Sequence, residues 1–385
     1  MRDIRLDKMA SVLVHYSLEV KAGDFVLLSG EIAGMPLLEA LYEHLIRAGA
    51  FVKISIVPAG WDEIFFKYAN QKQLERTCPL ALHEVSECNK RIRVIAPTNT
   101  RGLSHADSQK VALLSKANGP ILSKVLTRSA AGEMEWVVTL CPTPAGAQEG
   151  DMGIKEYEDF VFQAGHLNEE DPILHLKEQQ VKQMRMIDYM KGKKELHFKT
   201  KEGTDLRVNI EGMRWINSCG KRNFPDGEIF TGPQLKASDG GVNGIVHYTY
   251  PAIWNQTVVE GVKLTFEKGR VVEARASKNE AFLRAMIAQD EGASRLGEIA
   301  IGTNYKIKTF TKNILFDEKI GGTFHAALGM GYPETGNENK SALHWDMICD
   351  LREGGTLSVD GQIISKEGRF VFPDWPQAHK HAITD

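Results

Sequence analysis

His344 and Asp346 stand two residues apart in SALHWDMICDL, a run with the texture of a buried strand. Strand side chains alternate between faces, so the imidazole and the carboxylate share one face while Trp345 and Met347 take the other. A nitrogen and an oxygen donor on one rigid surface make half of a mixed metal site. An HxD pair standing alone would more often be a surface pair or a hydrogen-bonded core histidine, but other residues extend it. His325 lies in GGTFHAALG, where apolar neighbours disfavour an imidazolium and favour the neutral, ligand-competent ring. Glu260 in TVVEGVKLTF and Glu298 in RLGEIAIG each interrupt an apolar run. A carboxylate there is costly unless it is paired or bound to a cation, or unless it points outward from an edge strand. Glu228 in DGEIF, His247 in IVHYTY, and Asp317 with Glu318 in LFDEK are further candidates, for which a solvated or supporting place is expected.

Holding these groups together requires rigid elements, and the sequence divides into two textures. From Asp24 to about Glu149, short β-rich runs (DFVLLSG, FVKISIV, RIRVIAP, EWVVTL) alternate with helical patterns, the mark of parallel strands with helical crossovers. In MPLLEALYEHLIRAGA, Leu37, Leu38, Leu41, Leu45 and Ile46 recur at helical spacing, and Gly49 supplies a stop. Gly30 is followed by EIAG, which completes no GxGxxG fingerprint, so a dinucleotide site is not expected. The segment DPILHLKEQQVKQMRMIDYM reads as a connecting helix with Leu176, Met184, Ile187 and Met190 on its apolar side. Beyond it, Lys268-Gly269 and Asp360-Gly361 between apolar runs indicate antiparallel hairpins. The expected architecture is an α/β domain with a mainly parallel sheet over residues 1–170, then an α+β domain with a mainly antiparallel sheet over 171–385 that carries the metal site.

The composition narrows the function classes. The chain has 385 residues with 42% hydrophobic and 25% charged residues and a formal charge of -3, a globular composition without bulk attraction to nucleic acid. No apolar stretch approaches the roughly 20 residues needed to span a bilayer. The start, MRDIRLDKMASVLVHYS, lacks the pattern of a secretory signal. Five cysteines, Cys78, Cys88, Cys141, Cys219 and Cys349, are odd in number and contain no CxxC pair. A reducing, cytoplasmic setting is expected.

Taken together, VVEG, RLGE, GTxHxALGxGYPE and NxSxLHWDM resemble the thermophilic aminopeptidase family of metallopeptidases, the group of aminopeptidases T, S and II. The similarity runs over nearly the whole chain, including VKAGDFVLLSG and WVVTLCPTPAGAQ. The resemblance implies metal ligands at Glu260, Glu298, His325, His344 and Asp346, and an active-site tyrosine at Tyr332. It also implies a homodimer acting on short peptides, with two divalent ions per chain. Zinc is placed first, with cobalt, manganese or magnesium as alternatives, because two histidines disfavour an all-oxygen ion. Glu298 is expected to bridge the ions or to act as base, and Tyr332 to donate to the tetrahedral oxyanion. Two other readings stay open on residues alone: a two-metal phosphoesterase, and a metal-free binding or scaffold protein.

Overall fold

The computed structural model describes residues 2–104, 106–255 and 257–378, and they form two compact units. One unit comprises Met1–Leu174 with Gly220–Pro225, and the other His175–Cys219 with Asp226–Asp385.

In the first unit, strands Phe25–Glu31, Phe51–Val57, Lys90–Ile95, Glu135–Leu140 and Asn223–Phe224 form a five-stranded sheet. Every pairing in it is parallel. Helix Met35–Arg47 buries Leu37, Leu38, Leu41 and Leu45, while Ile46 is 48% exposed and leaves the apolar face assigned to it from sequence. Ile46 sits one residue beyond the i, i+4 row of Leu37, Leu41 and Leu45, which turns it toward solvent. Gly49, at φ 79°, ends this element in the left-handed conformation.

The second unit holds two large antiparallel sheets and a two-stranded one, Ala252–Trp254 with Thr257–Val259. Eight strands run in the order Arg270–Arg275, Lys263–Glu267, Val242–His247, Asp205–Asn209, Glu195–Lys199, Thr356–Val359, Gln362–Lys366 and Arg369–Phe370. Its hairpins turn through Lys268-Gly269 and Asp360-Gly361, all four residues with positive φ, as a two-residue turn between right-twisted strands requires. Glu367-Gly368 makes a third such turn.

The other large sheet has five strands, ordered His344–Asp350, Thr323–Gly329, Leu296–Gly302, Glu228–Thr231 and Ile216–Ser218. One of its faces enters the core through Ile299, Ile301, Phe324, Ala326, Leu328, Trp345 and Met347. Phe324 stacks on Phe198 of the eight-stranded sheet at 4.1 Å between ring centroids. Burying these side chains is the main stabilising term, at roughly 1.5–3 kcal/mol for each large one. Because side chains alternate beyond the bulge at Gly297, packing that face commits the opposite face to Glu228, Glu298, Ala300, His325, Ala327, His344 and Asp346.

Helix Pro172–Met190 buries Leu176, Ile187 and Met190, but Met184 is 46% exposed and Met186 takes the core position. Gln183 is fully buried on the same helix. Its amide donates to the backbone carbonyl of Glu228 at 2.7 Å, tying the helix to the strand that carries this glutamate.

Candidate metal centre

Strand register explains how distant sequence segments meet. His325 pairs with Ala300, while Ala327 pairs with Glu298 on one side and Asp346 on the other. Small side chains at Ala300 and Ala327 leave room on this face for longer acidic and imidazole groups from neighbouring positions. A bulge between Leu296 and Glu298 re-aims Glu298. Gly297 occupies the bulge because a Cβ there would come within 2.2 Å of the Met330 carbonyl oxygen.

The resulting cluster is tight. His325 Nε2 lies 3.4 Å from Glu228 Oε2 and 3.5 Å from Glu298 Oε1. His344 Nε2 lies 3.3 Å from Glu298 Oε2 and 3.5 Å from Asp346 Oδ2. Three overlapping sets of donors, Glu228–Glu298–His325, Glu298–His344–Asp346 and Glu318–His325–Asp346, each lie within 4.8 Å of one another. Such mixed nitrogen and oxygen sets suit divalent ions.

Each histidine is aimed by a backbone carbonyl. His325 Nδ1 donates to Glu318 O at 3.0 Å, and His344 Nδ1 donates to Met330 O at 2.8 Å. Both Nε2 atoms therefore face the carboxylates, the arrangement that orients metal-binding imidazoles. Side-chain exposure rises from 1% at His325 and 5% at Glu298 to 12% at Asp346 and 20% at His344, so solvent reaches the cluster past His344. Tyr332 stands beside that opening, with its ring edge-on to His344 at 5.1 Å and against Phe230 at 5.3 Å.

The charges are strongly coupled. Burial opposes ionisation of Glu298, yet hydrogen bonds from His325 and His344 prevail and lower it to about 2. Burial also works against the imidazolium forms, but the carboxylates win, raising His325 to about 9 and His344 to about 10. Burial pushes Glu228 up to about 8 against the charges of Lys319 and His325, and Asp346 up to about 6 against His344. Glu228 Oε2 and Asp346 Oδ1 are buried without a hydrogen-bond partner, a costly state that a bound cation would relieve. The donor set thus fits divalent metal.

Of the residues singled out from sequence, Glu298, His325, His344, Asp346 and Tyr332 come together. Glu260 does not. It lies in an isolated bridge with Lys278, its carboxylate 44% exposed and accepting from Lys278 Nζ at 2.7 Å. Glu260 falls between two strands, Thr257–Val259 and Lys263–Glu267, where its side chain escapes to solvent and finds a lysine. Glu228 takes the place in the cluster expected for Glu260, and Glu318 joins it. Lys319, singled out by nothing in the sequence, is fully buried against both, 3.0 Å from Glu228 Oε1 and bonded to Glu318 Oε1. Asp317 is buried apart from the donor sets, where it accepts from Thr311 N at 2.7 Å and Thr311 Oγ1 at 3.0 Å and braces the turn leading to Glu318. His247 faces the Glu202 carbonyl at 3.3 Å on the other sheet. A sequence signal for Glu228 did exist: it is the one charged residue in EIFT, which becomes the fully buried strand Glu228–Thr231.

Among known proteins, Aminopeptidase 2 of Geobacillus stearothermophilus is 27% identical over 94% of this chain and 95% of its own length. Aminopeptidase T of Thermus thermophilus is 29% identical over 92% of this chain and 94% of its own. The solved structure of wild-type AmpT from Thermus thermophilus superposes with a TM-score of 0.83, covering 96% of this chain and 99% of that one at 24% identity, a likeness of fold. A 2,5-dihydroxypyridine dioxygenase from Pseudomonas putida shares the fold more loosely, with a TM-score of 0.58 at 13% identity. Residues 2–370 match the thermophilic metalloprotease (M29) family, and the chain belongs to that family of metallopeptidase hydrolases.

Proposed function

We propose that the protein is an aminopeptidase that removes N-terminal residues from short peptides, using two divalent ions held by Glu228, Glu298, Glu318, His325, His344 and Asp346. The observation that carries this reading is the pair of buried carboxylate oxygens within the donor sets, Glu228 Oε2 and Asp346 Oδ1, that accept no hydrogen bond. Charge count supports a pair of ions: four carboxylates less one ammonium, Lys319, leave a net three negative charges, which one dication would not balance. Family membership and the names of the relatives supply the substrate class. Zinc leads the candidate ions, followed by cobalt and manganese, on the chemistry of the donor set.

When bound, such ions would activate water near neutral pH and polarise the scissile carbonyl. The remaining work falls to side chains. Glu298 spans both histidines, Oε1 toward His325 and Oε2 toward His344, which supports either a bridging place between the ions or, with one oxygen free, a base for the attacking water. Burial, first, and the neighbouring carboxylates hold the Tyr332 phenol well above its ordinary range, so it stays a donor at neutral pH. Standing at the opening beside His344, its hydroxyl would hydrogen-bond the developing oxyanion. The outward gradient of exposure lets a peptide enter past His344 with its N-terminus toward the carboxylates.

The proposed assembly is a homodimer, following the family resemblance, and the cysteine pattern supports a reducing, cytoplasmic setting; no helix among the described residues is long and apolar enough to cross a membrane. The test is hydrolysis of leucyl-p-nitroanilide, its N-acetyl derivative and p-nitrophenyl phosphate by dialysed protein with zinc, cobalt or manganese restored. Metal-dependent cleavage of the free amine alone is expected. Preference for the phosphate ester, or equal cleavage of the acetylated compound, would overturn the reading.

A further inference from the structure

Lys319 is the feature of the cluster that the proposed chemistry leaves unused. Its side chain is fully buried, an expensive place for an ammonium. Its Nζ lies 3.0 Å from Glu228 Oε1 and is bonded to Glu318 Oε1, and both glutamates belong to the sets of donors that surround His325. Glu228 is thereby divided: Oε1 accepts from the lysine, while Oε2 faces His325 Nε2 at 3.4 Å and accepts no hydrogen bond. The backbone fixes the lysine from both sides. Its N–H donates to Phe316 O at 3.0 Å, and its carbonyl accepts from Asn304 N at 3.0 Å, just past the end of the Glu298 strand. The same turn supplies the Glu318 carbonyl that aims His325.

We propose that Lys319 is a resident cation that holds Glu228 and Glu318 in place before metal arrives, and so is a positioning residue for the cage. This rests on the reading that the cluster binds metal. Without Lys319, two buried carboxylates next to Glu298 and Asp346 would repel one another and draw in water or another conformation. Divalent ions, once bound, neutralise the same carboxylates and are repelled by the ammonium. The lysine therefore stabilises the metal-free protein more than the loaded one, and by linkage it weakens final metal binding while keeping the cage formed.

The test is the thermal midpoint of wild type and K319M, each stripped of metal and each saturated with zinc, with zinc affinity measured by chelator competition. The midpoint of metal-free K319M should fall, that of the loaded variant should fall less, and zinc affinity should rise by about tenfold or more. A purely structural lysine would lower both midpoints equally and leave the affinity unchanged, and that result overturns the inference. K319M that folds only with zinc supports it as the extreme case, and K319M that folds under neither condition counts against it. K319Q, which removes the charge but keeps a donor, must show the same widening, and K319R must show none. Wild type that takes up no zinc would instead sink the metal reading itself, so the two failures are distinguishable.

Discussion

Glu228 Oε2 and His325 Nε2 approach to 3.4 Å from two strands that are not sequence neighbours, separated in the sheet by the Glu298 strand. The carboxylate is buried and its inner oxygen accepts no hydrogen bond. That relationship, more than any single motif, defines the cage.

Glu228→Gln should lose metal and activity together. A neutral amide replaces a ligand oxygen and leaves Lys319 with one carboxylate, so zinc per chain after dialysis should drop and kcat/KM fall by about a hundredfold or more. Glu260→Gln removes a half-exposed pair with Lys278, and it should change stability by less than about 1 kcal/mol with metal content intact. Elemental analysis of both variants decides between the two glutamates.

Much of the fold is legible from sequence because burial and period coincide. Parallel strands with helical crossovers, the hairpins at Lys268-Gly269 and Asp360-Gly361, and the alternation of His344 and Asp346 against Trp345 and Met347 follow from residue spacing and turn chemistry. Glu228 and Glu260 look alike in sequence, each a carboxylate within an apolar run. What separates them is placement: Glu228 lies on a strand inside the five-stranded sheet, and Glu260 on an isolated bridge between strands. Lys319 is less legible still, since an acid-base run such as DEK ordinarily marks a solvated turn, and its burial depends on the Asn304 contact that no local pattern encodes.

Tyr332→Phe should separate binding from chemistry. The ring contacts with His344 and Phe230 survive, so metal content should match wild type, while kcat falls by about a hundredfold with the loss of one oxyanion donor. Steady-state kinetics of the fully loaded variant provide the check, and an unchanged kcat would remove the phenol from the mechanism.

Ala327 keeps open the space between Glu298 and Asp346, with which it pairs on either side. Ala327→Leu should fill that space, cost about 1–3 kcal/mol through overpacking, and abolish metal uptake even in protein that remains folded. Circular dichroism with metal analysis separates the two effects.

The pH dependence follows from the direction of the shifts. His325 and His344, raised to about 9 and 10, contribute stability that is complete below the ordinary imidazole range and is lost as pH rises through those values. Glu228 and Asp346, raised to about 8 and about 6, bind protons more tightly when folded, so they too favour the native state at lower pH and lose that contribution as pH climbs. Glu298, lowered to about 2, acts oppositely, and its contribution disappears only in strong acid. Metal-free protein should therefore lose stability from about pH 4, where Asp346 and Glu228 begin to ionise in the unfolded chain, up to about pH 10, where His344 gives up its proton, while zinc-loaded protein, whose ions displace those protons, should vary less. Thermal midpoints with and without zinc across that range measure the difference.

The most direct measurement is anomalous diffraction from crystals grown with zinc and an amino-acid product. Two peaks per chain are expected, shared among Glu228, Glu298, Glu318, His325, His344 and Asp346, with the product's amino group nearby and Lys319 still paired to its glutamates. Zinc bound at Glu260, or no anomalous density within the cage of a crystal soaked to saturation, would contradict it.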